Sequence, residues 1–181
     1  MPPRSYDFLT RLLDAPGPSG FEAAPARLWR GEAAAFADDV RSDVHGNCYA
    51  TLNGAGTPRV MFAGHLDEIG LMVVHVDEEG FLSFAGIGGW DPQVFVGQRV
   101  TMLGHAGPVH GVIGKKAIHL MEKDDREKVS KIEDLWVDIG ARNRKEALAR
   151  VRVGDPGVLT SNVLRLPNGR RSRNSRKPAR G

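Results

Sequence analysis

The sequence predicts an α/β domain interrupted by a small all-β lobe. Three observations carry this expectation. Two amphipathic helical segments precede two strands within the first 63 residues. After Gly70 the texture changes to short β-prone runs separated by glycine turns. A brief return follows at 161–170, and the pattern then stops. A chain of 181 residues can build one good core, or a core with a small second lobe. The expected divisions are 1–70 for the first part of the α/β domain, 71–160 for the insert, 161–170 for the return and 171–181 for a disordered basic tail.

Tyr6 to Leu13 has helical spacing, with Phe8, Leu9, Leu12 and Leu13 on one face. Pro16-Gly17-Pro18-Ser19-Gly20 stops that helix and forms a rigid loop. Phe21 to Phe36 reads as a second, alanine-rich helix anchored by Phe21, Leu28, Trp29 and Phe36. Asp43 to Asn47 is a turn, Cys48 to Leu52 a short strand, and Asn53-Gly54-Ala55-Gly56 another turn. Val60-Met61-Phe62-Ala63 is an apolar run that reads as a buried strand.

In the insert, strands are expected at Leu71 to Val76, Phe81 to Phe84, Gln98 to Leu103, Val109 to Ile113 and Leu135 to Gly140. Asn143 to Arg150 has the spacing of a short helix, with Glu146 and Arg150 four apart. Val151 to Gly157 should close the lobe with a strand and turn. Short strands, closely spaced glycines and little helix fit a small barrel or a sandwich. Arg171 to Gly181 has no large apolar residue and several arginines, the composition of a disordered tail.

The formal charge of +3 conceals an asymmetry. From Pro156 onward there are seven basic residues and no acid, which leaves residues 1–155 with 18 basic against 22 acidic, a net of −4. A basic tail could bind nucleic acid or an anionic surface, but nucleic acid ranks low here for the reason given below. No apolar run approaches the roughly 20 residues that span a bilayer, and Met1 to Asp7 lacks the apolar stretch of a signal peptide. A single cysteine, Cys48, excludes an internal disulfide. A cytoplasmic location is the expectation.

The chemistry concentrates at Gly64-His65-Leu66-Asp67-Glu68-Ile69-Gly70. A His and an Asp two apart on extended backbone point to the same side. His65 is then a candidate metal ligand. Asp67 can hydrogen-bond the far ring nitrogen and fix the tautomer. The competing reading makes His65 a structural strand-end histidine, Asp67 a turn cap and Glu68 a solvated charge. His45, His75, His105, His110 and His119 are dispersed without ligand spacing. Gly86-Ile87-Gly88-Gly89 lacks the Lys-Ser/Thr ending of a phosphate loop. No Gly-x-Ser-x-Gly elbow occurs, and Cys48 has no evident activating histidine. Trp90 is expected to pack within the insert.

The Gly64 to Gly70 stretch resembles the first metal motif of the dinuclear metallo-aminopeptidases of the glutamyl and tetrahedral (TET) type, some of which carry endoglucanase or cellulase labels. Further marks agree in order and spacing: Pro18-Ser19-Gly20-Phe21-Glu22, Asp43-Val44-His45-Gly46-Asn47, Gly114-Lys115-Lys116-Ala117-Ile118-His119, Asp138-Ile139-Gly140-Ala141 and Val153-Gly154-Asp155. The resemblance covers about residues 5–170. It implies a zinc-peptidase-like α/β domain interrupted by a β-barrel insert, and homo-oligomers from dimer to dodecamer. It implies peptide substrates cleaved at the N-terminus by a water activated between two divalent ions, zinc or cobalt. By motif match, His65 is a metal ligand and Asp67 its orienting catalytic carboxylate.

The family's bridging Asp, its Glu-Glu pair and its late His should lie further on. Arg171 to Gly181 contains none of them. That loss of pattern reads as a frameshift or premature stop, which makes the basic tail out of frame. The chain is then expected to be truncated, inactive alone and poorly soluble or dependent on partners. The alternative is a non-catalytic, truncated paralogue that acts through its β-lobe in oligomer assembly.

Overall fold

The structure, a computed structural model, describes residues 3–165, 171 and 172. They fall into two compact units, 3–68 with 162–165, 171 and 172, and 69–161. Among the described residues no helix is long and apolar enough to cross a membrane. The basic residues from Arg173 onward, on which the disordered-tail expectation mainly rests, lie outside the described residues.

In the first unit, α1 (Pro3–Asp14) half-buries Phe8, Leu9, Leu12 and Leu13, the face its spacing predicts. The second helix, α2 (Ala23–Ala33), is shorter at both ends than Phe21 to Phe36. Pro25 explains its start, because proline is tolerated only in a helix's first turn. Phe21 and Phe36 fall outside the helix and are exposed, while Pro25, Ala26 and Ala33 supply its buried contacts. Arg4 and Arg11 both reach Glu32 at 3.4 Å and tie α1 to α2. These pairs are exposed and contribute little.

Next comes a hairpin of β1 (Asp39–Ser42) and β2 (Cys48–Thr51), in register from Asp39 opposite Thr51 to Ser42 opposite Cys48. The charged β1 sequence carries no strand signal of its own; pairing with β2 extends it. Asp43 holds the turn. Its Oδ1 accepts from the backbone N–H groups of His45 (2.9 Å) and Asn47 (3.0 Å). Its Oδ2 accepts from the Asn47 side chain (2.8 Å) and the Tyr49 hydroxyl (3.0 Å). The Asn47 side-chain bond, helped by Tyr49 and the two backbone donors and opposed by desolvation, holds the Asp43 carboxyl below its ordinary 3.8. Tyr49 is raised, first by donating to that carboxylate. A depressed folded value means that the stabilisation is present above the unfolded value and fades as pH falls through the folded one. Asp43→Asn should therefore melt below the wild type at pH 7, with a smaller gap at pH 3, which lies below the ordinary value of 3.8. Thermal melts at the two pH values check this.

Two expectations for this unit are corrected. Val60 to Ala63 is not a buried strand. It has no strand partner among the described residues, and Val60, Met61 and Phe62 are 70, 87 and 95% exposed. An apolar run signals a tendency to be buried, but a strand also needs a ladder partner for its N–H and C=O groups. Secondly, the tail does not begin at Arg171. β9 (Leu164–Arg165) pairs antiparallel with β10 (Arg171–Ser172).

The second unit is a closed six-stranded barrel. Its strands are β3 (Gly70–Val76), β4 (Leu82–Ile87), β5 (Arg99–Gly104), β6 (Gly107–Lys115), β7 (Leu135–Asp138) and β8 (Pro156–Leu159). The order around the wall is β3-β4-β7-β6-β5-β8, antiparallel throughout. Closure settles barrel against sandwich and leaves no unpaired edge. Period-two patterning fills the interior: Val100 and Met102 from β5, Leu82 and Phe84 from β4, Leu135 and Val137 from β7. In β3, Leu71 and Val73 point inward, then a bulge between Val73 and His75 resets the register so that Val76 is buried as well.

Two short helices, α3 (Lys123–Arg126) and α4 (Arg144–Leu148), lie between strands. The Asn143 side chain accepts from Glu146 N (3.0 Å) and caps α4. Glu146 in turn bonds Arg142 N (3.1 Å) and Arg150 (2.9 Å).

The sequence places the closing strand and turn within Val151 to Gly157. The strand is β8, which begins only at Pro156, and Val153 is 61% exposed. Pro156 and Gly157 carry a turn signal in the sequence, yet each suits its place. Pro156 is the first residue of the strand, where its missing N–H is tolerated. A Cβ at Gly157 would lie 2.5 Å from Met102 Sδ.

Candidate metal centre

Residues 64–67 follow the exposed apolar run outside any helix or strand, and at Glu68 the backbone is caught by the Pro16 to Gly20 loop. Pro18 and Glu68 form an isolated parallel bridge. Ser19 N donates to Glu68 O (3.1 Å), and Glu68 N donates to Gly17 O (2.9 Å). The Glu68 side chain closes the clamp by accepting from Gly17 N at 3.1 Å. The loop is a firm support, because Gly17 and Pro18 are buried.

On this frame Asp67 faces two partners. Its Oδ1 lies 2.9 Å from His65 Nδ1, and its Oδ2 accepts from the Ser19 hydroxyl at 2.5 Å. The backbone oxygen of Asp67 is also 3.1 Å from the same ring nitrogen. The Ser19 bond is the main cause holding the Asp67 carboxyl below its ordinary value; desolvation opposes it, and His65 adds to the lowering. An ionised carboxylate has only acceptors. Nδ1 of the neutral ring must then carry the proton, which leaves the Nε2 lone pair free for an electrophile. The His65 side chain is 86% exposed and that of Asp67 37%.

This chemistry is that of one metal ligand with its orienting carboxylate. It is not a nucleophilic triad, since the hydroxyl donates to the carboxylate and makes no bond to the imidazole. One neutral imidazole fits one corner of a zinc or cobalt site. Among the described residues no group of three His, Cys, Asp or Glu side chains converges to complete it. The remaining histidines are scattered, for example His110 on Thr101 Oγ1 at 3.2 Å and His105 4.0 Å from Asp155. An open groove of about 360 Å³ on the barrel, lined by Arg99, His110, Asp138 and Thr160 among others, contains neither His65 nor Asp67.

The structure thus brings together the two residues the sequence singles out, and adds two whose contribution the sequence reading did not see. Glu68 stitches the loop. Ser19 stood only as part of a family mark; a hydroxyl beside two glycines in a rigid Pro-Gly-Pro loop was the available signal.

A family model described as M42 glutamyl aminopeptidase matches residues 46–175. The chain belongs to that family. A TET aminopeptidase from a marine sediment thaumarchaeote is similar at 38% identity and a TM-score of 0.87, over 92% of this chain and 46% of that one. The lysyl aminopeptidase of Pyrococcus furiosus is 34% identical over 165 residues, 89% of this chain and 47% of the relative. The TET1 peptidase of Pyrococcus horikoshii, which can assemble into a tetrahedron or a large octahedral shell, matches at 33% identity and a TM-score of 0.80, over 90% of this chain and 48% of its own. The chain therefore spans about half the length of its M42 relatives. The α/β unit carrying a barrel insert is the fold these relatives share with it.

Proposed function

We propose that this chain carries the first metal-ligand segment of an M42 aminopeptidase, a family hydrolase that removes N-terminal residues from peptides. His65 would hold one of two divalent ions, zinc or cobalt, through Nε2, and Asp67 would keep the ring in the required tautomer. The Ser19–Asp67–His65 arrangement, found in a chain of this family, carries the reading. When bound, such a metal pair supplies an activated water and polarises the scissile carbonyl. What these residues do themselves is narrower. Asp67 holds the proton on Nδ1 and fixes the ring plane, and the Gly17 to Ser19 clamp fixes Asp67.

The remaining ligands and the general base fall outside what the described residues assemble, so turnover is proposed for an assembly that supplies them. The relatives' oligomers support a homo-oligomer here, and the single Cys48 fits a cytoplasmic setting. A second reading, barrel-driven assembly without catalysis, draws on the closed barrel and the lone ligand.

Equilibrium dialysis of the 181-residue chain against Zn²⁺ and Co²⁺, with an aminoacyl-anilide assay alongside, tests the two. The expected result is fewer than two ions per chain and no turnover by the chain alone. Two tightly bound ions with turnover would show a complete centre and sink the half-site reading. No uptake at all would remove the metal and leave the barrel reading.

A further inference from the structure

We propose that Ser19 is a positioning residue for His65, acting through Asp67. The inference deepens the metal-ligand reading of His65 and rests on it for its functional meaning. Three features support it. The Ser19 hydroxyl donates to Asp67 Oδ2 at 2.5 Å while Oδ1 of the same carboxylate meets His65 Nδ1 at 2.9 Å, so the two bonds share one rigid planar group. Asp67 is held from one side by the hydroxyl and from the other by the ring, and no other side chain among the described residues is bonded to it.

The backbone bearing the hydroxyl is itself fixed. Ser19 N is bonded to Glu68 O, the residue after Asp67, and Gly17 is bonded to Glu68 through both backbone and side chain. The hydroxyl and the carboxylate it orients are therefore attached to the same short ladder. Finally, the His65 ring is exposed, so packing does not set its orientation. Among the described residues, its hydrogen-bond contacts are those Asp67 makes at Nδ1. A ring that is free of the core and anchored at one nitrogen takes its direction from the anchor, and the anchor takes its direction from Ser19.

A hydroxyl that merely filled space would not affect which ring nitrogen bears the proton. The test reads that directly. The 181-residue chain is labelled with ¹⁵N, and the two-bond ¹H–¹⁵N pattern of the His65 ring is recorded metal-free, at one pH where the ring is neutral, with His65→Gln providing the assignment. The wild type should show the Nδ1–H tautomer. Ser19→Ala should lower the Nδ1–H to Nε2–H ratio by roughly three- to tenfold, the worth of one net hydrogen bond. Ser19→Thr, which keeps the hydroxyl, should restore it. Should Ser19→Ala fail to fold, Ser19→Cys replaces it, since a thiol keeps the volume but donates weakly.

A ratio in Ser19→Ala or Ser19→Cys equal to wild type overturns the proposal, as does failure of Ser19→Thr to rescue. Zn²⁺ titration of the same samples forms a separate arm. Affinity should fall about tenfold in Ser19→Ala, the lower end of what outer partners of a ligating histidine contribute. If the wild type takes up no zinc, the metal reading fails, while the tautomer ratio still decides the role of Ser19.

Discussion

Phe95→Ala is expected to destabilise the barrel by about 3–5 kcal/mol. Phe95 is fully buried although it belongs to no strand. It follows a short turn, Pro92–Val94, that Asp91 caps by accepting from Gln93 N at 3.0 Å. From there its ring meets Phe84 edge-on at 5.4 Å and Trp90 at 4.5 Å between centroids. Trp90 is fixed in turn by its Nε1–H, which donates to Gly70 O at 2.7 Å. Truncation would lose the transfer energy of the ring and leave a cavity whose walls, β-strands closed on themselves, have little freedom to collapse.

Urea unfolding followed by tryptophan fluorescence measures the effect, with the midpoint moving and the slope unchanged. Phe95→Leu should cost less than half as much, because it keeps most of the volume. Phe62→Ala is the natural contrast. Phe62 is 95% exposed, and its loss should stay within about 0.5 kcal/mol. Equal losses at 95 and 62 would mean that the core is not where the structure places it.

That contrast also shows what was legible in the sequence. Phe62 lies in the most strand-like apolar run of the first unit and is exposed. Phe95 lies in a loop with no periodic signal and is at the centre of the core. Periodicity reports which face of an element is apolar, and it worked for α1 and for β3 to β7, where neighbours in sequence are also neighbours in space. It gives no information on whether a strand finds a partner, hence the error at Val60 to Ala63. Nor does it see a strand whose residues are all buried and open on Pro-Gly, and so β8 was placed several residues too early. Phe95 owes its burial to a loop folding over the end of the barrel, a long-range event with no local signature.

At the metal centre the same division holds. His65 and Asp67 were legible because they lie two apart in the sequence and form a local pair, Nδ1 to Oδ1 at 2.9 Å. Ser19 was not, because it lies 48 residues from Asp67 and meets it only through the parallel bridge at Pro18 and Glu68.

His65→Ala should abolish specific Zn²⁺ and Co²⁺ uptake by the chain, and Asp67→Asn should weaken it by about 10–100-fold. The two substitutions act on different quantities. Alanine at 65 removes the donor atom itself, and among the described residues no other cluster stands ready to replace it. Asparagine at 67 leaves the imidazole in place. It removes the negative charge that favours Nδ1–H, and its amide can present either an oxygen or an NH₂ group to the ring. When the NH₂ group faces Nδ1, the ring must place its proton on Nε2, the atom that would otherwise bind metal. The amide rotation and the tautomer exchange are fast, so every molecule spends part of its time in the non-binding form and the apparent affinity falls by that fraction.

Calorimetric titration at fixed pH separates these effects: no heat of binding for His65→Ala, and a reduced apparent affinity with unchanged stoichiometry for Asp67→Asn. His45→Ala is the control and should match the wild type, since that residue lies in the Asp43 turn, away from Asp67's bonds. Retained uptake in His65→Ala would move the metal elsewhere on the chain. Asp67→Asn binding as tightly as wild type would mean that the backbone oxygen of Asp67, 3.1 Å from the same ring nitrogen, is enough to set the tautomer. The carboxylate would then serve the fold of the loop rather than the ligand.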